Sequence, residues 1–453
     1  MATSQPATHR LSPTVALCLA VIGAASMLYY HQRLFMPRVD AARAVQGLDN
    51  GYLFGNDFYQ VWLAARESLR NNLDPYSPVL TREIQTGLFG RPLDPNRPGD
   101  PVDQRVFPYP AFTALLFWPA AEFPFAPVRA VAVCLLAALI VASVMLWLRA
   151  LRWHVSGKWI AVILLLTLSS YPALEGLYSA QLGLLVCFLL AAAILALERN
   201  RFFLAGFLLA LTTIKPHVTA LAILFLLLWS LHLWRERGRL LVGFVSTLAL
   251  LTVAALVVFP HWIQSWAKIV MAARHYTQPP VLTELLTAFL GPHLAAPATM
   301  VLTTAFIVIA VIVAWRNRTA PANSRAFWIA LSLLLTIATI VILRGLAIYD
   351  HLIMLPAILL LIRHRSELAN AGPAPRFLLP IGALVLFWPW IAAFALTLLR
   401  PWLAESVFNS STILSLPLRN AASLPLMVLV LLVWMWRVTP TQSPEAVAEH
   451  SCA

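Results

Sequence analysis

Charge is scarce in this chain: 11% of its 453 residues are Asp, Glu, Lys or Arg, against 60% hydrophobic, and mean hydropathy is +0.78. So little polar surface cannot clothe a water-soluble globule, which excludes the soluble classes. Cysteine is scarce too. Cys18, Cys134 and Cys187 lie inside apolar runs and Cys452 in the tail, so neither a disulfide framework nor a zinc-binding spacing is present. There is no Walker loop, no GxGxxG, no HExxH and no Gly-x-Ser-x-Gly elbow, which removes the common nucleotide-binding, metalloprotease and serine-hydrolase classes. No internal repeat of fixed period and no intramembrane chain of carboxylates is found, and both absences count against a coupled transporter or flippase.

What is present is a series of apolar runs of about 18 to 23 residues, the length a helix needs to cross a hydrocarbon core of roughly 30 Å. They are read at 12–35, 126–148, 159–175, 181–197, 202–214, 216–234, 240–259, 297–315, 326–343, 346–362, 377–399 and 420–436. The expectation is an all-α polytopic membrane protein with about twelve transmembrane helices, forming one domain over 1–438 with a polar cytoplasmic tail at 439–453. The first run lacks a clear cleavage site after it and reads as a retained span.

The formal charge of +13 fits Lys and Arg gathered at cytoplasmic helix ends better than it fits nucleic-acid binding. With both termini inside, the inside segments carry sixteen Lys and Arg and the short outside segments six, which supports the orientation and the even span count together. The long segment 36–106 carries eight Arg offset by nine Asp and Glu, so no retention signal keeps it inside. It is placed outside, as is 260–296, whose Trp262, Trp266, His275 and Tyr276 fit an interfacial aromatic belt. Within the first loop, Phe58, Val61, Trp62, Ala65 and Leu69 form one stripe of an amphipathic helix expected to lie in the interface plane.

On this topology the costly ionisable and polar groups gather at the outer face: Asp57, Glu175, Gln181, Lys215, His217, Arg344, Asp350 and His351. Asp57 can be a helix-start residue, with Asn56 or Asp57 accepting backbone N–H bonds, or a carboxylate general base where headgroups meet water. Lys215, before the helix-opening Pro216, either snorkels to headgroups or holds a phosphate beside a helix N-terminus. Arg344 and Asp350 can form a structural ion pair; alternatively Arg344 or His351 balances a phosphate while Asp350 orients His351. His275 and His217 are outer-face histidines. Glu175 and Gln181 can cap a turn or hydrogen-bond a sugar. One acid among cations and aromatics suits transfer of a group from a lipid phosphate.

Local motifs sharpen this. Asp57-Phe58-Tyr59 leads into Asn72-Leu73-Asp74-Pro75-Tyr76; then follow Phe107-Pro108-Tyr109-Pro110, Tyr178-Ser179-Ala180-Gln181, Ala205-Gly206 through Ile214-Lys215-Pro216, and Tyr349-Asp350 with Leu355-Pro356. In order and spacing they resemble glycosyltransferase family 87 of the GT-C superfamily, which includes polyprenyl-phosphate-mannose-dependent alpha-mannosyltransferases. The resemblance implies a membrane-embedded inverting transferase in a bacterial-type inner membrane, with a GT-C-like fold, a large first non-cytoplasmic loop and no cofactor. It implies a polyprenyl-phosphate-linked sugar donor and a glycolipid or glycan acceptor. Asp57 matches the first-loop catalytic acid. Lys215, Arg344 and His351 then become candidate donor-phosphate ligands, and Tyr59, Tyr109, Gln181, His217, His275 and Asp350 candidate substrate contacts. Asn56 stands where many GT-C enzymes carry a second acid, which argues against a metal-chelating pair. Gly183 stands where family members often show Asn. Arabinofuranosyl transfer, a glycan ligase, a transporter or flippase and a noncatalytic scaffold are the rival readings.

Overall fold

The computed structural model describes residues 11–48, 54–94, 96–101, 103–273, 277, 279–343, 348–408 and 410–438; Arg344, His275 and the 439–453 tail lie outside them. Among the described residues every regular element is helical. The first is α1 (Pro13–Tyr29), capped by the Ser12 hydroxyl, which accepts from the Val15 N–H, and opened by Pro13. It runs through a π-helical turn at Tyr30–Phe35 into α2 (Met36–Val45). The first loop holds α3 (Asn56–Arg70), α4 (Pro78–Phe89), α5 (Phe112–Leu116) and α6 (Trp118–Ala121).

The bundle continues with α7 (Phe125–Ala150), α8 (Gly157–Leu168), α9 (Tyr171–Tyr178), α10 (Leu182–Glu198), α11 (Phe202–Leu211), α12 (Pro216–His232), α13 (Trp234–Val258) and the amphipathic α14 (Trp262–Ala273). After it come α15 (Val281–Arg316), α16 (Arg325–Val341), a 3-10 stretch at Ile348–Met354, α17 (Leu355–Arg363), α18 (Arg365–Asn370), α19 (Pro373–Leu399), the short α20 (Glu405–Phe408) and α21 (Ser411–Leu414), and α22 (Ser423–Val438).

Among the described residues six helical stretches are long and apolar enough to cross a membrane: Pro13–Val45, Phe125–Ala150, Trp234–Val258, Val281–Arg316, Pro373–Leu399 and Leu416–Val438. The pair α8 and α9, bent by 55°, makes a seventh if it counts as one span. Leu182–Glu198, Phe202–Ile214, Pro216–His232 and Arg325–Val341 are apolar but shorter. This is the all-α fold of a polytopic membrane protein. The expected runs fall on helices, with two differences. Residues 281–296, expected within the outer segment 260–296, are helical apart from a break at Gly291. Helix α3, expected to lie half-exposed, is buried on nearly every side from Asn56 to Ala65, because α4, α5, α6 and α7 close around it.

The core centres on α16, buried from Phe327 to Val341. Helices α11 and α13 approach so closely that a Cβ on Gly206 would lie 2.0 Å from the Leu240 carbonyl oxygen, and one on Gly243 2.3 Å from that of Phe203. Small residues that let backbones meet are a common device between membrane helices, and Ala205-Gly206 takes its place in the fold for that reason.

Candidate active site

Helix α3 begins at Gly55, whose φ of 83° suits glycine and turns the chain so that its N–H donates to the Tyr178 carbonyl at 2.7 Å. Asp57, in the first turn, donates its own N–H to the Ser179 carbonyl at 3.1 Å. The first loop is thus pinned to the α9–α10 turn, which carries Gln181. Neither Asn56 nor Asp57 caps the helix with its side chain. The Asn56 Oδ1 is buried without a hydrogen bond, and the Asp57 carboxylate turns to other partners.

One Asp57 oxygen accepts from Arg105 Nη1 at 3.1 Å, the other from Gln181 Nε2 at 2.6 Å. Gln181 in turn accepts, at Oε1, from the Tyr109 hydroxyl at 3.2 Å, and the Tyr109 carbonyl accepts from the Tyr76 hydroxyl at 2.8 Å. A chain of hydrogen bonds therefore fixes the carboxylate from behind. Burial pushes the Asp57 carboxyl above its ordinary range, Arg105 and then Lys215 pull it down, and Asp103 and Glu175 push it up; burial dominates.

A second ion pair stands nearby. Lys215, at the break between Thr212–Ile214 and α12, places Nζ at 2.7 Å from both oxygens of Asp350 and at 4.7 Å from the Tyr349 ring centre. Both side chains are almost fully buried, 9% and 3% exposed, so Lys215 does not snorkel. Gly183 makes room for the pair: a Cβ there would lie 2.4 Å from Asp350 Oδ1. His217 Nε2 is 3.9 Å from Asp350 Oδ2, its ring half exposed. Tyr349 lies within electrostatic reach of both Asp57 and Asp350 and joins the two pairs.

The remaining candidates are placed elsewhere. Tyr59 packs into the α3–α4–α7 contact against Trp62 and Phe125, and its hydroxyl fills the space that a Cβ on Gly87 would take. His351 is buried with Nε2 unbonded and lines an apolar cavity of about 150 Å³ with Tyr171, Trp390, Leu418 and Asn420. Lys215, rather than His351, takes up the Asp350 oxygens in the contacts given above.

Two arginines escaped the sequence reading. Arg105 sits in the first loop just before Phe107-Pro108-Tyr109-Pro110, and Arg43 at the end of α2; no local pattern marks either. Glu175, expected at the outer face, is a partly exposed carboxylate 3.7 Å from His31 Nε2 and 3.4 Å from the Tyr171 hydroxyl. Among the described residues no three His, Cys, Asp or Glu side chains gather as a metal-ligand set.

At the far end of α10, about 25 Å away at 1.5 Å per residue, the charges differ in kind. Arg152 pairs with the Glu198 carboxylate at 3.2 Å, and Arg363 bonds the Leu151 carbonyl. The cation of that pair is 61% exposed, against 24% for Arg105 and 9% for Lys215 at the Asp57 end.

A polytopic helical bundle with a buried carboxylate and cations at one end is the arrangement of a membrane-embedded enzyme site. Residues 107–343, more than half of the chain, match Glycosyltransferase family 87. The chain belongs to that family and is a glycosyltransferase. Neither a curated protein nor a solved structure matches it. The matched stretch includes Tyr109, Gln181, Lys215 and His217 but not Asp57, Arg105 or Asp350. The role of Asp57 rests on its surroundings.

Proposed function

We propose that the chain transfers a sugar, mannose in the first instance, from a polyprenyl phosphate to a hydroxyl of a lipid or glycan acceptor, with inversion at the anomeric carbon. Both termini are assigned to the cytoplasm and the Asp57 end of the bundle to the opposite face, because the arginine-rich helix ends lie away from Asp57. The four shorter apolar helices, together with the 3-10 stretch Ile348–Met354 and α17 taken as one, complete a twelve-span bundle in this reading.

The observation that carries it is the Asp57 carboxylate, buried at the start of α3, raised in basicity by burial and aimed by Gln181 and Arg105. A carboxylate whose proton affinity is raised is the better base, while Gln181 holds it in one orientation. The acceptor O–H gives its proton to Asp57 as its oxygen bonds to the anomeric carbon, and the bond from that carbon to the phosphate oxygen breaks. Polyprenyl phosphate leaves with the electron pair. It needs cations, not a proton donor. A single base opposite the leaving group is the requirement for one inverting displacement.

Lys215 is committed to Asp350 in a buried pair, so its role here is to hold the 3-10 stretch against α10 and α12. The apolar cavity lined by His351 suits the prenyl chain of the donor. Purified protein supplied with defined polyprenyl-phosphate sugars tests the reading. Asp57→Asn should lose turnover by about 10²- to 10⁴-fold and still bind donor. A requirement for a lipid-diphosphate donor would indicate a ligase; sugar or lipid flux in proteoliposomes without any glycosidic product would indicate a transporter. Either result overturns the reading.

A further inference from the structure

A leaving phosphate needs cations, and at the Asp57 end the most obvious one is spent. Lys215 Nζ is held at 2.7 Å by both Asp350 oxygens, beside the Tyr349 ring and 9% exposed. Withdrawing it to serve a ligand would strand a buried carboxylate.

Arg105 is differently placed. It bonds Asp57 through Nη1 alone; its Nε is 3.9 Å from Asp103 Oδ2, and the side chain is 24% exposed. Arg43, from the end of α2, has its Nη1 buried without a hydrogen-bond partner. Arg43 lies within electrostatic reach of Arg105, Tyr178, Asp40 and Glu175. Arg43 thus offers a spare buried donor within electrostatic reach of Arg105, which has donors to share beside Asp57. A buried guanidinium donor without a partner calls for an acceptor, and the guanidinium fork matches the oxygens of a phosphate monoester.

Asp57 presents the complementary difficulty. A base awaiting an acceptor proton has one oxygen bound by a cation that lowers its proton affinity. We propose that Arg43 and Arg105 form the seat of the donor's phosphate, and that when it is occupied Arg105 exchanges Asp57 for the phosphate. Donor binding thereby unmasks the base at the step when an acceptor can be used. This rests on the reading of the chain as a polyprenyl-phosphate sugar transferase, and it makes Arg105 a shared counter-ion of base and donor. Linkage is reciprocal: if the donor draws Arg105 from Asp57, the Asp57 charge must oppose donor binding.

Binding to the purified full-length chain tests this without any sugar. The probe is a short-chain prenyl monophosphate, with inorganic phosphate as the head-only control and the prenyl alcohol as the tail-only control, titrated by calorimetry. Arg43→Gln and Arg105→Gln should each weaken the prenyl phosphate by roughly 10- to 100-fold, the loss of a charge-assisted hydrogen bond. Asp57→Asn should tighten it by about 3-fold or more, since Arg105 is then uncontested. Competition by inorganic phosphate shows a seat that reads the head alone; its absence shows one that also needs the lipid.

Thermal melts accompany each variant. Where a Gln variant melts early, Arg43→Lys or Arg105→Lys replaces it and should still weaken binding, because the charge stays and the fork is lost. Wild-type affinity in the arginine variants, or unchanged or weaker binding in Asp57→Asn, overturns the proposal. The two readings fail separately. Arginine-dependent prenyl-phosphate binding without any sugar transfer defeats the enzymatic reading alone. Sugar transfer by both arginine variants at wild-type KM defeats the phosphate seat alone.

Discussion

Asp57 and Asp350 are carboxylates at the same end of the bundle, each held by one cation, yet their settings differ. The Lys215–Asp350 pair is doubly bonded and almost fully buried, between a 3-10 break and the start of α12. The Arg105–Asp57 pair makes a single bond, with the arginine 24% and the carboxylate 12% exposed and loop residues supplying the cation. Removing a charge from the first strands its partner in a low-dielectric interior; removing one from the second leaves a partner that water or substrate can reach. Of two similar motifs, one is therefore assigned to the fold and the other to chemistry.

Breaking the inner pair gives the largest expected effect on stability. Lys215→Met should destabilise the protein by about 3–5 kcal/mol, and adding Asp350→Leu should restore much of the loss, because two apolar side chains tolerate the site better than one orphan charge. Melting temperatures in detergent check this; a single variant as stable as wild type would move Lys215 to the outer, exchangeable class.

Gly183→Ala probes the same pair from outside it. The added methyl would meet Asp350 Oδ1, and the cost should be about 1–3 kcal/mol, again read from the melt. The Asn expected at this position from family resemblance would be incompatible with the pair as it is built here, so the glycine and the Lys215–Asp350 geometry belong together.

The outer pair is probed through activity. Gln181→Leu should leave the melt nearly unchanged and lower kcat by about 10-fold, since it removes one hydrogen bond to the base and its link to Tyr109. A loss as large as that of Asp57→Asn would mean that Gln181 touches the reacting atoms.

The smallest effect is a displacement of the pH profile. Asp57 must be ionised to act, so kcat/KM should fall as pH drops through its pKa, and that limb should lie above the ordinary aspartate value of about 4 because burial outweighs Arg105 and Lys215. Arg105→Gln should move the limb further up, with Asp103 and Glu175 then unopposed by that charge. The same sign applies to stability: the folded chain holds this proton more tightly than the unfolded one, so the Asp57 contribution to stability declines as pH rises through that window. A limb unmoved by Arg105→Gln would show that another group titrates.

Much of the fold was legible because lipid imposes a simple pattern, and the apolar runs fell on helices. Asp57, Gln181 and Lys215 were legible as costly polar groups in apolar surroundings. Their pairings were not. Lys215 and Asp350 are 135 residues apart and Asp57 and Gln181 124 apart, and nothing local in either motif names its partner. Arg105 and Arg43 were hidden among the eight arginines of the 36–106 segment, whose charge is offset by its carboxylates. Tyr59 was singled out by Asp57 two residues before it, yet helical positions two apart face different ways, and it packs on Gly87.

Transfer of radiolabelled sugar from a defined polyprenyl phosphate by wild-type and Asp57→Asn protein, with the anomeric configuration of the product determined, tests the central claim most directly. The account predicts an inverted glycosidic product from wild type and almost none from a variant that melts like wild type. Full turnover by Asp57→Asn would contradict it.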